Sequence, residues 1–185
     1  PAEGFDYFIS SDLTFGDDGK FFYTLEGKTT PTMFTIVKIA DQAFMEMAGC
    51  HGLTDSITIP TTITSIGKSA FENCSELKTV ILKEDSLLKT IGDRAFYGNS
   101  RNSFVSKKEI VGLNFEEGIE YIGKEAFKKC DDLESDKLVL PNSLQHIGNN
   151  AFAEISSLEE LDLSALDHVI NINANPFGWN GCLHD

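Results

Sequence analysis

One hexapeptide recurs six times along the chain: Ile, a small residue, two variable residues, a small residue, Phe. The copies begin at Ile39, Ile66, Ile91, Ile122, Ile147 and Ile172 and end at Phe44, Phe71, Phe96, Phe127, Phe152 and Phe177. Successive copies are 27, 25, 31, 25 and 25 residues apart. Six of the 14 phenylalanines stand at this one position, so the repeat dictates where the large rings go. A fixed period of this length marks a stack of similar units, because one such unit cannot bury its own apolar face.

A second element precedes each of the last five hexapeptides, an apolar triplet of the form L-x-x-L-x-L. Leu158-x-x-Leu161-x-Leu163, Leu77-x-x-Val80-x-Leu82 and Ile110-x-x-Leu113-x-Phe115 share the spacing. Leu53 with Ile57-x-Ile59 and Leu133 with Leu138-x-Leu140 are stretched before the final pair. The alternating pair has the period of a strand with one face buried. Pro60 and Pro141 follow two of these pairs and end the strand, since Pro has no N–H for a ladder.

Stacking places each strand beside its counterpart in a parallel sheet, about 4.8 Å away. Equivalent Leu, Ile and Phe then form columns, with the Phe column filling the volume opposite the sheet. The small residue after Ile allows a tight turn or close approach to the neighbouring unit. Ala before Phe fits a short helical turn that aims the ring inward. Cys50, Cys74 and Cys130 each stand three residues before the next apolar triplet, a slot filled by Ile155 ahead of Leu158. That points to small buried thiols, with a Cys50–Cys74 bridge between neighbouring repeats as the alternative.

The pattern resembles the BspA-like, or Treponema-type, leucine-rich repeats. Leu53, Ile57, Ile59, Pro60, Ile63, Ile66, Gly67, Ala70, Phe71 and Cys74 carry nearly all of that consensus. The first copy departs from it at Ala40 and the last at Asn173 and Pro176. The resemblance implies a leucine-rich repeat right-handed solenoid, an α/β-type superhelix of short parallel strands with turns and short helices. Three segments are expected: an N-terminal β-rich cap over 1–36, six repeats over 37–178 and a tail over 179–185. It also implies an extracellular or cell-surface setting, common in host-associated bacteria, and a role in adhesion or recognition.

Residues 1–36 lack the hexapeptide and are rich in aromatics, including Phe5, Tyr7, Phe8, Phe21 and Phe22. Gly16-Asp17-Asp18-Gly19 between Leu13–Phe15 and Lys20–Tyr23 reads as a hairpin turn. Such a hairpin would cover the open end of the stack, the alternative being an aromatic ligand surface. The 31-residue spacing places extra residues within Tyr97–Lys108, read as a tolerated surface insertion or a protruding contact loop.

Little in the chain points to chemistry. Its net charge of −14 repels phosphate, which argues against nucleic acid and anionic membranes. No apolar run approaches a membrane span. No zinc-protease, phosphate-loop, dinucleotide or nucleophile-elbow motif occurs, and His51, His146, His168 and His184 are scattered. No enzyme activity, cofactor or metal is expected. Asn73-Cys74-Ser75 is a formal glycosylation sequon that contains a cysteine expected to be buried.

What remains is surface. The residue between each pair of strand apolars points out of the sheet: Thr58, Ile81, Asn114, Val139 and Asp162. Two residues beyond come Pro60, Lys83, Glu116, Pro141 and Ser164. This mixed row, without aromatics, suits contact with a protein, and Thr58, Ile81, Lys83, Asn114, Glu116, Val139 and Asp162 are the candidate contact residues. The partner expected is a protein ligand, with a host extracellular or surface protein implied by the resemblance. The chain itself is expected to be a monomer. A structural spacer presenting another domain is the alternative.

Overall fold

The computed structural model describes residues 20–23, 29, 32–45, 55–74, 77–83, 85–99, 103–106, 113–115, 117–130 and 137–178. The chain winds into coils that each contribute a longer and a shorter strand to two parallel sheets. The long-strand sheet contains β4 (Asp55–Thr58), β6 (Leu77–Leu82), β8 (Ser103–Ser106), β9 (Leu113–Asn114), β11 (Lys137–Val139) and β13 (Glu160–Asp162), adjacent in that order. The short-strand sheet contains β3 (Lys38–Ile39), β5 (Ser65–Ile66), β7 (Thr90–Ile91), β10 (Tyr121–Ile122), β12 (His146–Ile147) and β14 (Asn171–Ile172). Ahead of them β1 (Lys20–Tyr23) pairs antiparallel with β2 (Thr32–Thr35). Leu13–Phe15 and the expected turn at Gly16–Gly19 lie outside the described residues, and the partner of Lys20–Tyr23 is the later segment.

The sequence reading expected one strand per unit, and the structure has two. The hexapeptide Ile is itself a strand residue: Ile39, Ile66, Ile91, Ile122, Ile147 and Ile172 lie in one cross-strand register. In the other sheet Ile57, Val80, Phe104, Leu113, Leu138 and Leu161 share a register. Phe104 belongs to the segment read as a surface insertion. Within it Ser103–Ser106 forms a ladder strand, β8, threaded between β6 and β9.

Inside the coils the six Phe rings form a continuous stack. Centroid separations run 4.9, 5.1, 5.4, 5.5 and 5.8 Å from Phe44 to Phe177, with ring planes within 12° of parallel. The spacing follows the strand-to-strand repeat of about 4.8 Å, so the backbone ladder sets the ring separation. Phe71, Phe96, Phe127 and Phe152 are wholly buried. Phe115 meets Phe127 and Phe152 edge-on.

The turns before each Phe hold no helix among the described residues, contrary to the short helices expected. The reason lies in the backbone. Gln42, Ser69, Arg94, Glu125, Asn150 and Asn175 all have left-handed φ, between 52° and 59°. A positive φ at the third turn residue closes Ala70 N–H onto Gly67 C=O and interrupts a right-handed helix. The freed N–H groups reach the next coil instead: Ser69 to Asp93 O and Phe71 to Ala95 O, both at 2.8 Å. Asp41 and Asp93 extend this bonding, accepting the Lys68 and Lys124 N–H on Oδ1 at 2.8 Å.

The slot three residues after Phe faces the carbonyl of the preceding Phe. Asn99 Nδ2 donates to Phe71 O at 2.7 Å, and Cys130 Sγ lies 3.4 Å from Phe96 O. The Cys130 thiol is buried, as expected. Cys74 is buried too but disulfide-bonded, so it is no free thiol, and its bridge partner is not among the described residues. Cys50, and with it the Cys50–Cys74 alternative, lies outside them.

Candidate interaction surface

The long-strand sheet brings the sequence-derived contact row onto a single line. Thr58 is in register with Ile81 and Ile81 with Val105; Asn114 is in register with Val139 and Val139 with Asp162. Thr58, Ile81, Val139 and Asp162 are half-buried, and so is Lys83 just after β6. Glu116 lies outside the described residues. Val105 is the member that sequence reasoning missed, because it belongs to the strand hidden in the insertion.

Asp162 is less available than the sequence suggested. Its Oδ1 accepts the Ser164 N–H at 2.9 Å, and Lys137 Nζ lies 2.9 Å from Oδ2 and 2.7 Å from Glu160 Oε1. Hydrogen bonds from Ser164, then the Lys137 ammonium, hold the Asp162 carboxyl well below the usual carboxylate range. Glu160 and Asp162 in turn push the Lys137 ammonium up. The C-terminal part of the row is thus an ion-paired cluster of one ammonium and two carboxylates that keeps a net negative charge, while Thr58, Ile81 and Val139 form a β-branched, uncharged line.

The short-strand sheet has an outer row of its own: Lys38, Ser65, Thr90, Tyr121, His146 and Asn171. Tyr121 and His146 stack on neighbouring strands with centroids 4.6 Å apart and planes 6° from parallel. Partial burial, then the nearby Asp93 carboxylate, pushes the Tyr121 phenol up. His146 is half-buried. Its aromatic neighbour went unnoticed, although both stand directly before a hexapeptide Ile.

Across the turns runs an ion ladder. The Arg94 guanidinium meets Glu72 through Nε at 3.2 Å and Nη2 at 2.5 Å, and Glu125 through Nη1 at 2.9 Å. It also lies 3.8 Å above the Tyr97 ring centroid. Lys128 continues the ladder to Glu154 at 3.2 Å. Hydrogen bonds from Arg94 hold the Glu72 carboxyl below its ordinary range, against the opposing pull of burial. The ion pairs each join one coil to the next, while the Tyr97 ring supports Arg94 within its own turn, so the cluster braces the stack. His168 is likewise tied into the framework, with Nε2 2.8 Å from Leu144 O. Among the described residues no group of His, Cys, Asp and Glu is arranged to hold a metal, and no helix is long and apolar enough to cross a membrane.

Two parallel sheets closed by turns, with stacked columns and an outward row, define a leucine-rich repeat solenoid. The chain belongs to the family described as BspA type leucine-rich repeat region, whose model matches six copies over residues 37–110 and 100–184. It is similar to the crystal structure of a leucine-rich repeat protein from Bacteroides ovatus ATCC 8483, with 32% identity and a TM-score of 0.56. That match covers 77% of this chain and 32% of the other, so the chain spans about a third of the length of that protein. No curated protein matches the chain significantly. Repeats of this family are interaction modules, and they generally mediate contact between proteins.

Proposed function

We propose that the chain is a non-catalytic recognition module of a secreted or cell-surface protein. It contacts a protein ligand, in an adhesive role, through the outer row of the long-strand sheet. The observation that carries this reading is the register: side chains from separate coils fall on one line, about 4.8 Å apart, over a rigid core. Uncharged, half-exposed Thr58, Ile81 and Val139 provide contact area, and the Lys137–Glu160–Asp162 cluster forms a polar rim. The surface setting rests on the family resemblance.

The test is retention on immobilised extracellular-matrix proteins from host tissue. Ile81→Glu and Val139→Glu should each weaken retention at least tenfold while leaving the melting temperature within a few degrees. Unchanged retention in both variants would sink the reading and favour a spacer that presents another domain.

A further inference from the structure

Tyr121 stands in the interior of the short-strand sheet, with His146 in register on one side and Thr90 on the other. Its ring lies parallel to the His146 ring, 4.6 Å away, so its opposite face looks along the sheet over Thr90. Thr90 is too short to cover a phenol ring, and beyond it in register comes Ser65, shorter still. The outer row therefore steps down between β10 and β7. The wall of the step is the Tyr121 ring, and its floor is two half-buried hydroxyl side chains on strands about 4.8 Å apart. His146 backs the wall and is itself met by Asn173, whose Nδ2 lies 3.4 Å from Nε2. Tyr121 remains 38% exposed.

The chemistry of the step narrows its occupant. An aromatic face is electron-rich and attracts weakly positive C–H groups laid flat against it. A saturated ring stacked about 3.5–4 Å from Tyr121 lies above Thr90. Its edges then meet the Thr90 and Ser65 hydroxyls, each both donor and acceptor. Asp93, in the same coil as Thr90, is close enough to act on the Tyr121 phenol and adds a carboxylate. Of the charges bordering the step, Lys89 and Glu120 pair with each other, Nζ to Oε1 at 2.8 Å. A phosphate or an acidic chain would face Asp93 and a net charge of −14. An extended peptide would find no strand edge to pair with, because β7 is bonded on both sides. A molecule with a flat C–H face ringed by hydroxyls meets all of these conditions.

We propose that this step is a binding site for neutral pyranose sugars, with a sugar ring stacked on Tyr121 and its hydroxyls bonded by Thr90, Ser65 and Asp93. A lone surface tyrosine loses rotamer freedom on binding; here the His146 stack has already removed it. The site lies in the other sheet from the proposed protein-contact row and does not depend on it.

The test is retention of the intact chain on immobilised neutral oligosaccharides of glucose, mannose, galactose and N-acetylglucosamine, with sialylated and sulfated glycans alongside. At least one neutral glycan should retain it. Tyr121→Ala should weaken that retention about tenfold, and Tyr121→Phe, which keeps the ring face, much less. Thr90→Tyr extends the ring stack and fills the step, so it should abolish binding with an unchanged melting temperature. Ile81→Glu, in the long-strand sheet, should have no effect, which separates this result from the protein-contact reading. Retention by no neutral glycan would overturn the proposal, and so would retention by acidic glycans alone. Binding undiminished in either Tyr121→Ala or Thr90→Tyr would overturn it too, as would equal losses in Tyr121→Phe and Tyr121→Ala.

Discussion

The Cβ that Gly123 lacks would lie 2.5 Å from the backbone nitrogen of Asp93 in the preceding coil. Gly67 stands in the same relation to Asp41, and Gly92 to Gly67. The obstacle is backbone in each case, so it cannot swing aside. Gly123→Ala should therefore force the two coils apart and cost about 1–3 kcal/mol, the range for overpacking a tight interior. Chemical denaturation compared with wild type checks this. An unchanged midpoint would mean the coils are not held at that distance.

Phe127 lies mid-stack between Phe96 and Phe152, with Phe115 against its edge. Phe127→Ala should cost about 3–5 kcal/mol, because the neighbouring rings are held by backbone ladders and cannot close the gap. Phe177→Ala, at the less buried end of the stack, should cost clearly less. Equal losses in thermal melts of the two variants would contradict the graded burial.

Glu72 ties part of the stability to pH. Its carboxyl is held below the ordinary range by Arg94, so its contribution is complete above the unfolded-state value, about 4.3, and disappears as pH falls through the lower folded value. Melting temperatures measured from pH 7 downward should fall more steeply in wild type than in Glu72→Gln. Parallel curves would show that the pair adds nothing. Arg94→Ala at neutral pH should cost about 1–2 kcal/mol, less than for a fully buried pair because Arg94 is one-third exposed.

Lys129 has a φ of 63°, at a turn position where the equivalent residue of the third coil is Gly98. A left-handed conformation costs an L-residue about 1–2 kcal/mol, and β-branched side chains tolerate it worst. Lys129→Val should destabilise by about that amount, and Lys129→Gly should be neutral or better. Differential scanning calorimetry of the pair provides the comparison; a less stable glycine variant would contradict the turn geometry.

The columns were legible because volume and period are written directly into the chain. Ile and Phe recur at one position, and the structure stacks them there. The second sheet was harder to read, since the residues before Ile (Ser65, Thr90, Tyr121 and His146) share a tendency to be extended but no common chemistry. β8 was hidden because Ser103–Ser106 falls in the longest spacing, where an added strand and an added loop lengthen the chain alike. The turn conformation was opaque because non-glycine residues occupy its left-handed positions. Arg94, Glu72 and Glu125 stand at variable positions and become neighbours only after stacking. Asn173, flagged as a departure from Gly, falls in the coil interface where ring separation is widest, at 5.8 Å.

The extra strand has a mechanical consequence. Between β7 and β10 the short-strand sheet advances one step, while the long-strand sheet advances two, from β6 through β8 to β9. One wall of the tube is therefore taller than the other by about 4.8 Å at that level. The ring stack opposite is not parted by it: Phe96 and Phe127, on either side of that level, lie 5.4 Å apart with planes 5° from parallel. The added strand is taken up on the long-strand wall alone, so a ligand laid along the outer row crosses one strand more than a count of hexapeptides gives.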